Sequence, residues 1–178
     1  VLHGNGFENI IQKAHTDTIS GARIFGYQVQ DPERFGVVSF DENGKAISII
    51  EKPVNSLSNY AIPGIYFYDE YAPSLAKQLT PSDRGELEIT DLNKAYLEQE
   101  NLMVTIIPND VTYFDTGTYD SLMEASLYVQ KKQSETKQQI ANLEALAYEY
   151  GYITKETLEQ SAKKQSKTSY GEYLSSLL

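Results

Sequence analysis

Cysteine and tryptophan are absent from this 178-residue chain, and histidine occurs only twice, at His3 and His15. Without thiols there are no disulfides and no thiolate metal sites, a composition at home in a reducing cytoplasm. His3 and His15 are too few and too poorly placed for a zinc site. Positive charge is scarce: 15 Lys and Arg stand against 25 Asp and Glu, a net charge of −10. Nucleic acid is therefore not expected as a partner, because tracking phosphates needs clustered cations. The densest basic pairs, Lys131-Lys132 and Lys163-Lys164, sit among polar helical residues and read as solvated faces. No apolar run approaches the ~20 residues that cross a bilayer, and no signal-peptide pattern opens the chain. No membrane partner and a cytoplasmic location are expected. No glycine-rich strand–loop–helix fingerprint occurs either, so the sequence reads as starting partway through an α/β domain.

What is present alternates between strand and helix signals. "FENIIQKAHT" places Phe7, Ile10, Ile11 and Ala14 on one helical face. "GARIFGYQVQ" is β-rich, and "DPERFG" is a turn. "VVSF" and "KAISII" flank Asp41-Glu42-Asn43-Gly44, a hairpin turn whose Asn-Gly tolerates positive φ. In "YAIPGIYFYD", Pro63 and Gly64 predict a bulge or an edge. "EYAPSLAKQL" reads as a short helix. "LEITDLNKAYLEQE" is amphipathic, with Ile89, Leu92, Tyr96 and Leu97 on one face. "MVTIIP" is a strand, and Thr118 is the expected N-cap of a helix through "TYDSLMEASLYVQKKQ". Three short helical segments follow, with a start at Thr154 and a stop at Gly151. The opening "VLHGNG" shows no settled strand.

One stretch stands apart. "SIIEKP" runs a strand into Glu51 and Lys52 and closes it with Pro53. Either this is a solvated turn, or Lys52 is aimed at a phosphate and Glu51 at hydroxyls, since a carboxylate accepts hydrogen bonds and a Lys is a compact point charge. Arg84 could grip a phosphate through two parallel hydrogen bonds, and Glu86 could hold Arg84 or a hydroxyl. Gly36 would let a ligand approach the backbone closely.

In order, "GYQVQDPERFGVVSFDENGKAISIIEKP", "SNYAIPGIYFYD", "RGELEITDLNKAYL" and "YFDTGTYDSLMEAS" resemble the C-terminal part of the bacterial glucose-1-phosphate thymidylyltransferase family. "EKP" occurs in many sugar nucleotidyltransferases, whereas "RGELEITD" with "DTGTYDSL" at this spacing is specific. The resemblance covers essentially the whole chain. It implies an α/β fold: the C-terminal part of a Rossmann-like nucleotidyltransferase domain with a mixed sheet (1–133), then a helical oligomerisation or regulatory region (134–178). It implies transfer of a thymidylyl group from dTTP to glucose 1-phosphate, as in dTDP-rhamnose biosynthesis. Lys52 and Arg84 become the catalytic cations. Phe35, Gly36, Glu51, Ile62, Tyr66 and Glu86 join them around the sugar phosphate, and Asp115 becomes a Mg²⁺ ligand. The resemblance further implies a homo-oligomer, a tetramer in the full-length enzyme. The family's Gly-x-Gly-x-Arg loop and its Gly-Asp-Asn motif do not occur in this sequence, so the isolated chain is expected to be a fragment without activity. Uridylyl or adenylyl transfer on the same scaffold, and a non-catalytic folded fragment, are the alternatives. Three departures from the family pattern are Phe35 for a common Tyr, Pro63-Gly64 for Thr-Gly, and Tyr148-Glu149 where an Arg often follows the aromatic residue.

Overall fold

A computed structural model describes residues 2–4, 6–17, 20–82 and 85–178, which pack as two compact units, 1–113 and 114–178. The first is α/β and the second wholly helical, as expected from the patterning. Helix α4 (Tyr119–Thr136) falls in the second unit by packing, whereas the expected functional division lies at 133/134, within that helix.

The first unit is organised by β2 (Ala22–Gln28). Its poor alternation follows from burial on both faces, which removes the polar half of the period. One edge pairs in parallel with β7 (Leu102–Ile106), and the other pairs antiparallel with β5 (Tyr60–Ala61) and β6 (Tyr66–Tyr68). Ala61 faces Tyr27 and Tyr66 faces Ile24, so Ile62 to Ile65 stand opposite only Phe25 and Gly26. Pro63 and Gly64 thus split one strand in two, in line with proline's missing ladder donor. Strand β5 also pairs with β3 (Gly36–Phe40), and β3 with β4 (Ala46–Glu51), to complete a mixed sheet. The β3–β4 turn is tied by Asp41, whose Oδ1 accepts from the Asn43 and Lys45 amides at 2.9 and 2.8 Å, with Gly44 at φ 78°. A second, two-stranded sheet joins β1 (Leu2–His3) to β8 (Thr112–Tyr113). Strand β1 carries no sequence signal, because two residues paired with a partner far along the chain show no local period.

Residues of β2 alternate between two layers. Phe25 packs with Ala14, Ile107 and Val111 under α1 (Phe7–Asp17). Ala22 packs with Leu92 and Tyr96 of α3 (Ile89–Glu98) beside α2 (Ala72–Ala76), and Ile24 with Val38, Ile49 and Ile62. The predicted α3 face holds at Leu92 and Tyr96, but Ile89 in the first turn is 43% exposed.

In the second unit α4 starts on a capping box in which Thr118 and Ser121 satisfy each other's backbone amides. Three short helices follow, α5 (Leu143–Glu149), α6 (Lys155–Lys164) and α7 (Ser169–Ser175), capped by Asn142, Thr154 and Thr168. They enclose Leu158, Ala162 and Leu174. Gly171 lies so close to the α6–α7 link that an added Cβ would stand 2.2 Å from the Gln165 carbonyl oxygen. Among the described residues no helix is long and apolar enough to cross a membrane.

Candidate functional site

The end of the β3–β4 pair builds the site. Gly36 is the register partner of Glu51, and the next amide, Lys52 N–H, donates to the Phe35 carbonyl at 2.9 Å. That bond holds Lys52 at φ 42°, the left-handed region that side chains other than glycine seldom occupy. The backbone reverses there, and the charged ends of Glu51 and Lys52 stand 4.0 Å apart, with Lys52 half exposed and Glu51 more covered. Strain of this kind concentrates at functional sites. An exposed ion pair at such a distance adds little stability by itself.

Glu51 is oriented from the other side. Thr90, in the first turn of α3 and 3% exposed, donates its hydroxyl to Glu51 Oε2 at 2.5 Å. A Cβ on Gly36 would come within 3.1 Å of that same Oε2 and 3.2 Å of the Thr90 hydroxyl. The absent side chain therefore leaves room against a carboxylate. Ile62 closes this end, its amide donating to the Gly36 carbonyl at 2.8 Å. Tyr66 lies near enough that burial, then the Glu51 charge, raises its phenol above the ordinary value. The Phe35 ring rests 6.2 Å from that of Tyr113 and under the Arg34 guanidinium.

Gly36, Glu51, Lys52, Ile62 and Tyr66 are thus gathered at one end of the sheet, with Phe35 beside them. Glu86 is exposed on the loop before α3, where its carbonyl accepts from the Ser82 amide at 2.8 Å. Arg84 lies outside the described residues. Asp115 belongs to the second unit, its carboxylate 3.5 Å from where a Gly117 Cβ would stand. Among the described residues no three His, Cys, Asp or Glu side chains are grouped so as to hold a metal ion.

Sequence reasoning missed the support behind this cluster. Tyr66, Tyr68 and Tyr96 form a continuous ring stack, with centroids 5.8 and 5.6 Å apart. The Tyr68 hydroxyl donates to Asn93 Oδ1 and the Tyr96 hydroxyl to Asp69 Oδ1, both at 2.6 Å. Burial pushes the phenols of Tyr68 and Tyr96 well above their ordinary value of 10.0, aided for Tyr96 by Asp69. Burial alone would raise the Asp69 carboxyl, but hydrogen bonds from Tyr96 and from the Gly21 and Tyr71 amides outweigh it and hold the group low. The available signal was polar Thr90 and Asn93 falling, at helical spacing, on the apolar side of α3.

A separate cleft of about 550 Å³ lies between α3 and the start of β4, lined by Lys45, Ile47, Lys94 and Glu98 among others. It does not include Glu51 or Lys52. Its lysines are engaged by Glu100 at 3.1 Å and Asp91 at 2.9 Å.

A family model for nucleotidyl transferases matches residues 1–132. Glucose-1-phosphate thymidylyltransferase of Neisseria gonorrhoeae is 48% identical over all 178 residues, and that of Mycobacterium tuberculosis H37Rv is 39% identical over the same span. The chain spans 62% and 61% of the length of these two relatives. Among solved structures, a Bacillus anthracis protein described as a glucose-1-phosphate thymidylyltransferase, in complex with sucrose, is 38% identical. It has a TM-score of 0.61, over 72% of this chain and 50% of that one. A UDP-glucose pyrophosphorylase with UDP-glucose bound shares the fold at 20% identity and TM-score 0.57, over 71% of this chain and 48% of that one.

Proposed function

This chain belongs to the nucleotidyl transferase family, and from that premise we propose that it supplies the sugar-phosphate side of a glucose-1-phosphate thymidylyltransferase. The observation that carries the reading is the placement of Glu51 and half-exposed Lys52 together at a strand end, beside a glycine, with Lys52 in a strained backbone state. In this proposal a phosphate oxygen of glucose 1-phosphate attacks the α-phosphorus of dTTP, and pyrophosphate leaves. Lys52 meets the sugar phosphate as a point charge and neutralises it during in-line transfer. Glu51, with Oε2 already engaged by Thr90, presents Oε1 to the sugar hydroxyls. Gly36 provides the space, and Ile62, Tyr66 and Phe35 wall the ring. Arg84 serves as a second phosphate cation, and Glu86 as its partner or a hydroxyl acceptor. A divalent cation, Mg²⁺ here, would take Asp115 as one ligand and supply charge neutralisation when bound. A homo-oligomer, a tetramer in the active enzyme, a cytoplasmic location and a place in dTDP-rhamnose synthesis complete the proposal.

Calorimetric titration of the chain with glucose 1-phosphate tests the sugar side directly. Binding that disappears in Lys52→Ala and weakens in Glu51→Gln is expected. Equal binding by all three proteins would overturn the assignment. In the active enzyme, product analysis with dTTP, UTP and ATP separates thymidylyl from uridylyl or adenylyl transfer.

A further inference from the structure

Helix α3 reaches the sheet through three polar contacts at one-turn spacing: Thr90 to Glu51, Asn93 to Tyr68, and Tyr96 to Asp69, at 2.5, 2.6 and 2.6 Å. The three acceptor or donor partners lie on β4, on β6 and in the turn after β6. Polar contacts buried in series fix a register more sharply than apolar packing, because sliding the helix breaks all of them together. The middle contact is the least economical. Asn93 is 1% exposed and its Nδ2 donor has no hydrogen-bond partner among the described residues. A buried donor left unmet is costly, and a Leu at this position would remove that cost. A Leu alone would also leave the Tyr68 hydroxyl without its acceptor, so the amide carries a cost and a benefit together. What the amide does is hold the Tyr68 hydroxyl, and the Tyr68 ring is the central member of the stack that ends at Tyr66, beside Glu51.

We propose that Asn93 and Tyr68 are positioning residues: their hydrogen bond sets the Tyr66 ring and the register of α3, and so fixes how Glu51 is presented to a sugar hydroxyl. Neither residue is among those assigned to contact the sugar phosphate. The inference deepens the reading of Glu51 as the hydroxyl acceptor and rests on it.

The test compares the parent chain with the double variant Tyr68→Phe/Asn93→Leu, which removes both partners at once and leaves no new unpaired group from the broken bond. Affinities are measured for glucose 1-phosphate, for its C4 epimer galactose 1-phosphate, and for inorganic phosphate, with Glu51→Gln as control. The double variant should keep its melting temperature within a few degrees and its phosphate affinity within about twofold, and lose roughly fivefold or more of its preference for glucose 1-phosphate. If Glu51→Gln loses the preference and the folded double variant retains it, the pair is structural only and the proposal falls while the reading of Glu51 stands. If the parent shows no preference, or Glu51→Gln leaves it unchanged, the reading of Glu51 fails and takes the positioning role with it.

Discussion

Lys52 shows how one residue's backbone and charge are coupled. Its φ of 42° costs an L-residue on the order of 1 kcal/mol, a cost that glycine would escape. Lys52→Gly is therefore expected to match or exceed the parent in melting temperature while losing glucose 1-phosphate binding. Lys52→Ala should lose about 2–4 kcal/mol in kcat/KM for that substrate in the active enzyme, the size of a lost charge-assisted contact, and calorimetry with steady-state kinetics checks both. Gly36→Ala should weaken sugar binding with little change in fold, because the new methyl group meets Glu51 Oε2 and the Thr90 hydroxyl rather than backbone. At this scale the sequence was informative where chemistry is local: Glu51, Lys52 and Pro53 are adjacent, and their strand-end position was readable. Thr90 was not, since its role exists only where α3 lies across the end of β4, a contact 39 residues away along the chain.

The elements were legible in proportion to their length. Helices α3 and α4 and the β3–β4 hairpin follow from periodicity, turn chemistry and the Thr118 cap. The two-residue strands β1 and β8 have no period to read. The tyrosine stack escaped notice because Tyr66 and Tyr68 of β6 meet Tyr96 of α3 only in three dimensions. That stack gives the first unit a defined pH response. The phenols of Tyr68 and Tyr96 are raised above 10.0, so their stabilising effect is whole below pH 10 and fades as pH climbs toward the folded values. Asp69 is lowered below 3.8, so its contribution is present above pH 3.8 and fades as pH falls toward the folded value. Chemical denaturation across pH should show Tyr68→Phe flattening the alkaline limb and Asp69→Asn flattening the acid limb. In the second unit Gly171→Ala forces a methyl group against the Gln165 backbone. It should cost at least about 2 kcal/mol, the scale of core overpacking, in thermal unfolding.

For the whole molecule, the tail residues divide in a way composition could not foretell. Leu158 and Leu174 are fully buried within their own small core and Leu177 packs against it, whereas Leu143, Tyr152 and Leu146 are 74%, 82% and 41% exposed. Exposed apolar groups so placed support the proposed self-association. Leu143→Glu/Tyr152→Glu should lower the mass seen by light scattering while leaving helical circular dichroism unchanged. The parallel pairing of β2 with β7 has a consequence in time. It joins Arg23 to Met103, 80 positions apart, whereas the β3–β4 hairpin closes through a turn of a few residues. Loop closure over the longer span carries the larger entropic cost, and parallel pairing is slow to form. The hairpin is accordingly expected to form early and the β2–β7 pairing late. A chain emerging from the ribosome would expose one edge of β2 until residue 106 is free, and that interval is when the unit is most open to misassembly.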